Sequence, residues 1–271
     1  MPAVRSILGK FVRDRGTHLA AMIAYFALLA FVPLLFLALS LIALTGQESE
    51  SGYLIDELRR TFPESSVNRL VEVVEDIRGN ATAVGIIGGV ALAWSALGFF
   101  SVLESAFNIV YGLPNRPFIR QKLLVLVLTL GALFMLFVAL FVSSFGIELA
   151  RDTAVVGGWL VYVYALAIST ALVLGFVWTV YRVLTNEQLT WRETLPGAAV
   201  AAVVLQASFQ ILPVFVRATE GLVTLQAFGG LVLLLFWLYL MANVIVLGAE
   251  VNWWLARRDE LPGQETAAGL A

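Results

Sequence analysis

Six stretches of this chain run almost without charge, and they fix the solvent it folds in. Residues 19–44, 123–147, 154–181, 194–216 and 221–249 carry no charged side chain, and 83–111 carries one, Glu104. A helix needs about 20 apolar residues to cross the hydrocarbon core of a bilayer. With no water there, only helices or closed barrels satisfy their backbone hydrogen bonds. None of these runs alternates in period two, which argues against a barrel. The expectation is an all-α membrane protein, a six-transmembrane-helix bundle whose spans are these six stretches.

Composition narrows the rest. The chain has 271 residues, 60% of them hydrophobic, above the usual share for a soluble domain. The six spans take most of that length. They leave an N-terminal cytoplasmic helix over 1–18, one transmembrane domain over 19–255 and a cytoplasmic tail over 256–271. The run at 19–44 is too long for the core of a cleaved signal peptide and is read as a retained first span. A net charge of −2 gives no basic face for nucleic acid. There is no cysteine, and His18 is the single histidine, so thiolate or His-rich metal sites and a Ser–His–Asp constellation drop out. Walker and dinucleotide-binding motifs are missing too. The expectation is no cofactor, no enzymatic activity and no ATP-driven step in this chain.

Six spans put both termini on one side. Assigned to the cytoplasm, that side takes eleven of the 17 basic residues, including Arg5, Lys10, Arg13 and Arg15 ahead of the first span. The excess predicts cytoplasmic termini. Residues 4–15 space Val4, Ile7, Leu8, Phe11 and Val12 as one apolar face beside those basic residues. That pattern fits a helix lying on an anionic leaflet or serving only as a topological anchor. In the extracytoplasmic segment 45–82, Val67, Leu70, Val71, Val74 and Ile77 recur at three and four residues and predict an amphipathic helix. It reads as a cap on the outer end or as a lid over a cavity. Trp159, Tyr162, Tyr181, Trp191, Trp253 and Trp254 sit near span ends and read as interfacial anchors. Gly85, Gly88, Gly89, Gly229 and Gly230 offer close helix contact.

Polar chemistry enters the membrane at few places. Trp94, Ser101, Glu104, Ser105, Asn108 and Tyr111 recur by seven, three and four, which places them on one stripe of the second span. A carboxylate at the depth of Glu104 must face protein or water and have a partner. Arg15, His18, Arg116, Arg120 and Lys122 are the candidates. The sixth span brings Asn243, Glu250 and Asn252 to a comparable depth, with Glu250 close enough to its end to meet water. Glu104, Ser101, Asn108, Asn243, Glu250 and Asn252 are therefore expected to form a polar cavity or inner gate, or else to bond helices together. Gln206, Gln210 and Gln226 form an outer-half polar face, either lining a solute path or bonding between helices. Pro33, midway along the first span, is expected to kink it and is the candidate hinge.

Short motifs join these residues into a pattern. They are Ala24-Tyr25-Phe26-Ala27-Leu28-Leu29 with Pro33-Leu34-Leu35, Leu103-Glu104-Ser105-Ala106-Phe107-Asn108 with Arg116-Pro117, Leu195-Pro196-Gly197-Ala198, Trp237-Leu238-Tyr239-Leu240 and Gly248-Ala249-Glu250-Val251-Asn252. In order and spacing, from about residue 15 to 255, the chain resembles the YihY/BrkB family of bacterial inner-membrane proteins. The resemblance implies six spans with both termini cytoplasmic. It also implies links to virulence and serum resistance, to export of a lipopolysaccharide precursor in one branch, and to an older ribonuclease BN label. The chain departs from the family at Thr219–Leu225, where members often carry a Tyr-Gly stretch.

Three functions remain. The first is a transporter or flippase of a lipid or other amphiphile, not ATP-driven by itself, with Glu104 as its proton-responsive group. The second is an envelope-integrity or assembly factor that moves nothing. The third is a membrane-associated ribonuclease, disfavoured by the missing histidine pair, acidic metal cluster and basic face. The expected partners are membrane lipids, a lipid or amphiphilic substrate and further copies of the chain as a homo-oligomer, with no nucleic acid.

Overall fold

The computed structural model describes residues 2–45, 67–68, 81–132, 134, 158–219 and 230–257. Regular structure among the described residues is helical. Helix α1 is Pro2–Arg13, α2 is Gly16–Thr45, α3 is Ala81–Tyr111 and α4 covers 118–132. Helix α5 is Gly158–Leu184, α6 is Trp191–Thr219 and α7 is Gly230–Arg257. Five helices among the described residues are long and apolar enough to cross a membrane. The expected span 123–147 is described only in its first part. Of the amphipathic segment 45–82, residues 46–66 and 69–80 lie outside the described residues, as does the tail from Arg258, and Val67 and Asn68 are helical.

The helix ends follow local chemistry. Lys10 and Arg13 fall in the last turn of α1, where they oppose the negative end of the helix dipole. The chain then turns through Arg15, whose φ is +55°. Gly16 restarts the helix where a Cβ would run into the ring of Phe11. Helix α3 closes with a Schellman motif: Gly112 at φ +69° donates to Ile109 O at 3.0 Å and Leu113 N donates to Asn108 O at 2.7 Å. Ahead of α6, Thr190 N donates to Glu193 Oε2 at 2.7 Å, the reciprocal half of a capping box. Pro33 sits inside α2, which runs helical on both sides of it. At about 1.5 Å per residue, the 30 residues of α2 reach roughly 45 Å, more than the hydrocarbon core.

The helices outrun the charge-free stretches at most ends. Helix α5 continues through Arg182 and α7 through Glu250 to Arg257, because backbone hydrogen bonding ends at a cap and not where charge begins. Large apolar side chains face outwards, among them Ile87, Val90 and Val127, each about two-thirds exposed. In water such a surface would drive association, whereas in lipid it is the expected exterior.

The chain divides into two compact units. The first holds α1, α3 from Leu103, α4, α5, α6 to Gln206 and α7 from Val244. Its core is built on Phe107, Val110, Val125, Val180, Tyr181, Leu184, Ala198, Ala201 and Val246. The second holds α2 from His18, α3 to Val102, α6 from Ala207 and α7 to Asn243, around Ile23, Ala24, Phe100, Trp237 and Ala242. In that unit a Cβ on Gly98 would meet the ring of Phe26. The close contact of α2 with α3 thus depends on Gly98. By contrast, Gly89 has nothing within 4 Å of an added Cβ.

Candidate functional site

The polar centre lies in the first unit and starts from Glu104. Its place on an apolar face of α3, between Leu103 and Phe107, buries it completely. Arg116, on the connector after the α3 cap, brings Nη1 to 3.3 Å from Glu104 Oε1, and its own backbone N lies at 3.4 Å. The same guanidinium donates to Leu184 O at 2.6 Å and Thr185 O at 2.7 Å. Arg116 thus neutralises α3 and caps the end of α5 with one planar fork. Glu104 Oε2 is buried and accepts no hydrogen bond among the described residues.

One turn on, Asn108 ties the two connectors together. Its Oδ1 accepts from Asn186 N at 2.8 Å, and its Nδ2 donates to Asn115 Oδ1 at 3.0 Å. Asn186 Nδ2 in turn donates to Pro114 O at 2.9 Å. These bonds tie two partly exposed connectors to the buried Asn108.

The second carboxylate has a different cation. Glu250 on α7 is fully buried, and Lys10 Nζ from α1 reaches 3.0 Å from its Oε2. That distance makes an ion pair, although the approach lies outside hydrogen-bond geometry. Lys10 also donates to Val110 O at 2.7 Å, pairs with Asp14 and stands 4.3 Å from the ring centre of Trp253. Glu250 Oε1 accepts no hydrogen bond among the described residues. An unpaired buried charge costs several kcal/mol, on the order of 3–5, so Lys10 and Glu250 constrain one another.

Two glycines let the surrounding helices meet. A Cβ on Gly197 would collide with Gly248 O and with the Asn252 side chain, and a Cβ on Gly248 would collide with the Tyr181 hydroxyl. Into that contact Gly197 N donates to Asn252 Oδ1 at 2.7 Å, and Tyr181 Oη donates to Ile245 O at 2.7 Å. Asn252 Nδ2 is left buried with no acceptor among the described residues.

The expected polar residues are divided between the two units. Glu104, Asn108, Glu250 and Asn252 fall in the first unit, but Glu104 and Glu250 have separate cations. Ser101 and Asn243 fall in the second unit, where Ser101 Oγ donates to Leu97 O and Asn243 Nδ2 donates to Tyr239 O, each inside its own helix. Trp94 leaves the stripe, since it is 81% exposed. Gln206 Nε2 donates to Ser169 Oγ at 2.8 Å, a bond between helices. Gln210 is on α6 in the second unit, and Gln226 lies outside the described residues. Glu250 was expected near water and is instead shut off by α1. Tyr181 was expected as an interfacial anchor and is instead buried, its ring 5.1 Å from that of Phe107.

The sequence pattern of the family described as Virulence factor BrkB matches residues 7–269. The chain belongs to that family. The BrkB chain is 25% identical to the ribonuclease-like protein YfkH of Bacillus subtilis (strain 168) over 274 residues, 97% of this chain and 98% of that one. It is 24% identical to a UPF0761 membrane protein of Psychrobacter sp. (strain PRwf-1), covering 93% of this chain but 48% of the relative. A UPF0761 membrane protein of Vibrio campbellii is 24% identical, with 82% of its length covered. The chain therefore spans nearly the whole Bacillus relative and about half of the Psychrobacter one. No solved structure matches. The protein is an integral membrane protein of the BrkB family.

The BrkB motifs noted in the sequence take on physical roles here. Gly197, Gly248 and Asn252 make one helix contact, and Glu104, Asn108 and Arg116 make the connector clamp. Lys10, Asn115 and Asn186 were missed as site residues. Nothing local marks Lys10 as buried, because its partner lies at the far end of the chain. Asn115 and Asn186 read as ordinary loop residues, although Pro114 and Pro117 beside Asn115 signal a fixed connector.

Proposed function

We propose that this BrkB-family protein moves a lipid or similar amphiphile across the bacterial inner membrane, passively or coupled to protons. In this reading it has six spans, both termini are cytoplasmic, and the ion-paired end is its closed cytoplasmic gate. One observation carries the proposal. Two fully buried carboxylates on membrane-crossing helices take their counter-cations from outside those helices, Glu104 from the connector and Glu250 from α1. A carboxylate inside a span is a functional candidate by default, because hydrocarbon makes it costly to keep. Neutralising either carboxylate would remove one of the contacts that hold Arg116 or Lys10 and loosen that segment.

The test is lipid translocation in proteoliposomes. Wild type is expected to speed transfer of a labelled lipid between leaflets. Glu104→Gln and Glu250→Gln are expected to abolish the gain while thermal stability in detergent stays close to wild type. Transfer no faster than in protein-free liposomes would sink the proposal.

A second reading, an envelope-integrity or assembly factor, draws support from the Asn108–Asn115–Asn186 ties, which join connectors without forming a path. On that reading the glutamine variants change stability and nothing else. The ribonuclease-like name of the Bacillus relative gains little here, since His18 is the single histidine and no group of three metal-ligating side chains occurs among the described residues.

A further inference from the structure

We propose that the last turn of α5 and the first turn of α6 form a binding site for the phosphate of an anionic phospholipid, built on Arg182, Trp191 and Trp178. The inference holds whether or not the chain moves lipid. Arg182 lies two residues before the end of a membrane-crossing helix, and Trp191 opens the next one. Both therefore sit at a boundary between hydrocarbon and headgroups, where Trp and Arg side chains are favoured.

The guanidinium is held but not used. Arg182 Cζ stands 4.1 Å from the centre of the Trp191 ring, a cation–π contact. It makes no hydrogen bond or ion pair among the described residues. The contact holds the group beside the ring, and its five N–H donors have no acceptor among the described residues. Phosphate oxygens match that fork.

The stacking face is itself pinned. Trp178 Nε1 donates to Trp191 O and to Thr194 Oγ1, each at 2.9 Å, and the two indoles meet edge to face at 4.9 Å. A platform fixed this way does not need ordering when a ligand arrives. Neither acid of these turns pairs with Arg182: Glu193 Oε2 accepts from Thr190 N, and Glu187 pairs with Arg257 at 3.5 Å. Arg192, next to Trp191 in the chain, is exposed and makes no hydrogen bond or ion pair among the described residues. A lone snorkelling arginine would need only one contact with the headgroup layer. A guanidinium held over the Trp191 ring, with that ring packed on a hydrogen-bonded Trp178, is more than that role requires.

The experiment titrates the purified full chain in mixed micelles with phosphatidylglycerol, phosphatidylcholine or inorganic phosphate, and counts retained lipid by native mass spectrometry. Wild type is expected to retain phosphatidylglycerol over phosphatidylcholine, and millimolar inorganic phosphate is expected to leave that retention unchanged. Arg182→Gln is expected to weaken phosphatidylglycerol binding by about fivefold, the loss of one basic residue at an anionic surface. Trp191→Leu should weaken it as well, and Arg120→Gln, an exposed arginine on α4, should not. Arg182→Lys keeps the charge without the fork and should fall short of wild type. Equal retention of the two lipids by wild type overturns the site without any variant. So does wild-type retention by Arg182→Gln or by Arg182→Lys. Displacement by inorganic phosphate overturns the lipid as the source of the phosphate.

Discussion

Gly197 and Gly248 bring the backbones of α6 and α7 close enough for one side chain, Asn252, to bond across the gap. Gly197→Ala forces that contact apart, and overpacking of this kind costs about 1–3 kcal/mol. Thermal unfolding in detergent should show the loss. Gly89→Ala, where an added methyl meets nothing, should leave the melting temperature unchanged or slightly higher, since alanine is the better helix former. Lys10 allows a sharper test. Lys10→Met strands Glu250 in a buried site and should destabilise by about 3–5 kcal/mol, whereas Lys10→Met with Glu250→Gln should recover much of that. A double-mutant cycle followed by denaturant unfolding measures the coupling. Simple additivity of the two changes would count against a direct pair.

At the scale of elements, Arg116 joins the connector after α3 to the end of α5. Arg116→Lys keeps a charge near Glu104 but cannot reach two carbonyls as a planar fork. Amide exchange at residues 185–190 should speed up in Arg116→Lys and more so in Arg116→Ala, and unchanged exchange would deny the capping role. The helices themselves were legible, because a run without charge over a membrane's thickness leaves the backbone little choice. Expected spans of 19–44 and 83–111 became Gly16–Thr45 and Ala81–Tyr111. The last span was placed at 221–249, and the described helix is Gly230–Arg257. Charge marks the edge of lipid, and a helix passes that edge until a cap stops it. Of the site, Glu104 and its partner Arg116 were within reach because they lie twelve residues apart across a proline-flanked connector. The setting of Glu250 was not, because proximity to the end of a span says nothing about what covers it. Tyr181 shows the same limit: an aromatic side chain near a boundary suits the headgroup layer or the core equally well.

For the whole molecule, reporter fusions after Arg257 and within residues 47–79 should report opposite sides of the membrane if the charge bias sets the topology. The same side for both would contradict six spans. Synthesis order adds a further consequence. The ribosome delivers Lys10 well before Glu250, at about 5–20 residues per second. The ammonium of α1 therefore waits roughly ten to fifty seconds for its partner, and in that interval the leaflet surface is its natural resting place. The amphipathic face of α1 suits that wait as well as it suits the finished fold. Seating Lys10 against Glu250 then waits on α7, a check that this helix has arrived. A chain truncated before α7 would leave α1 on the surface, open to quality-control proteases.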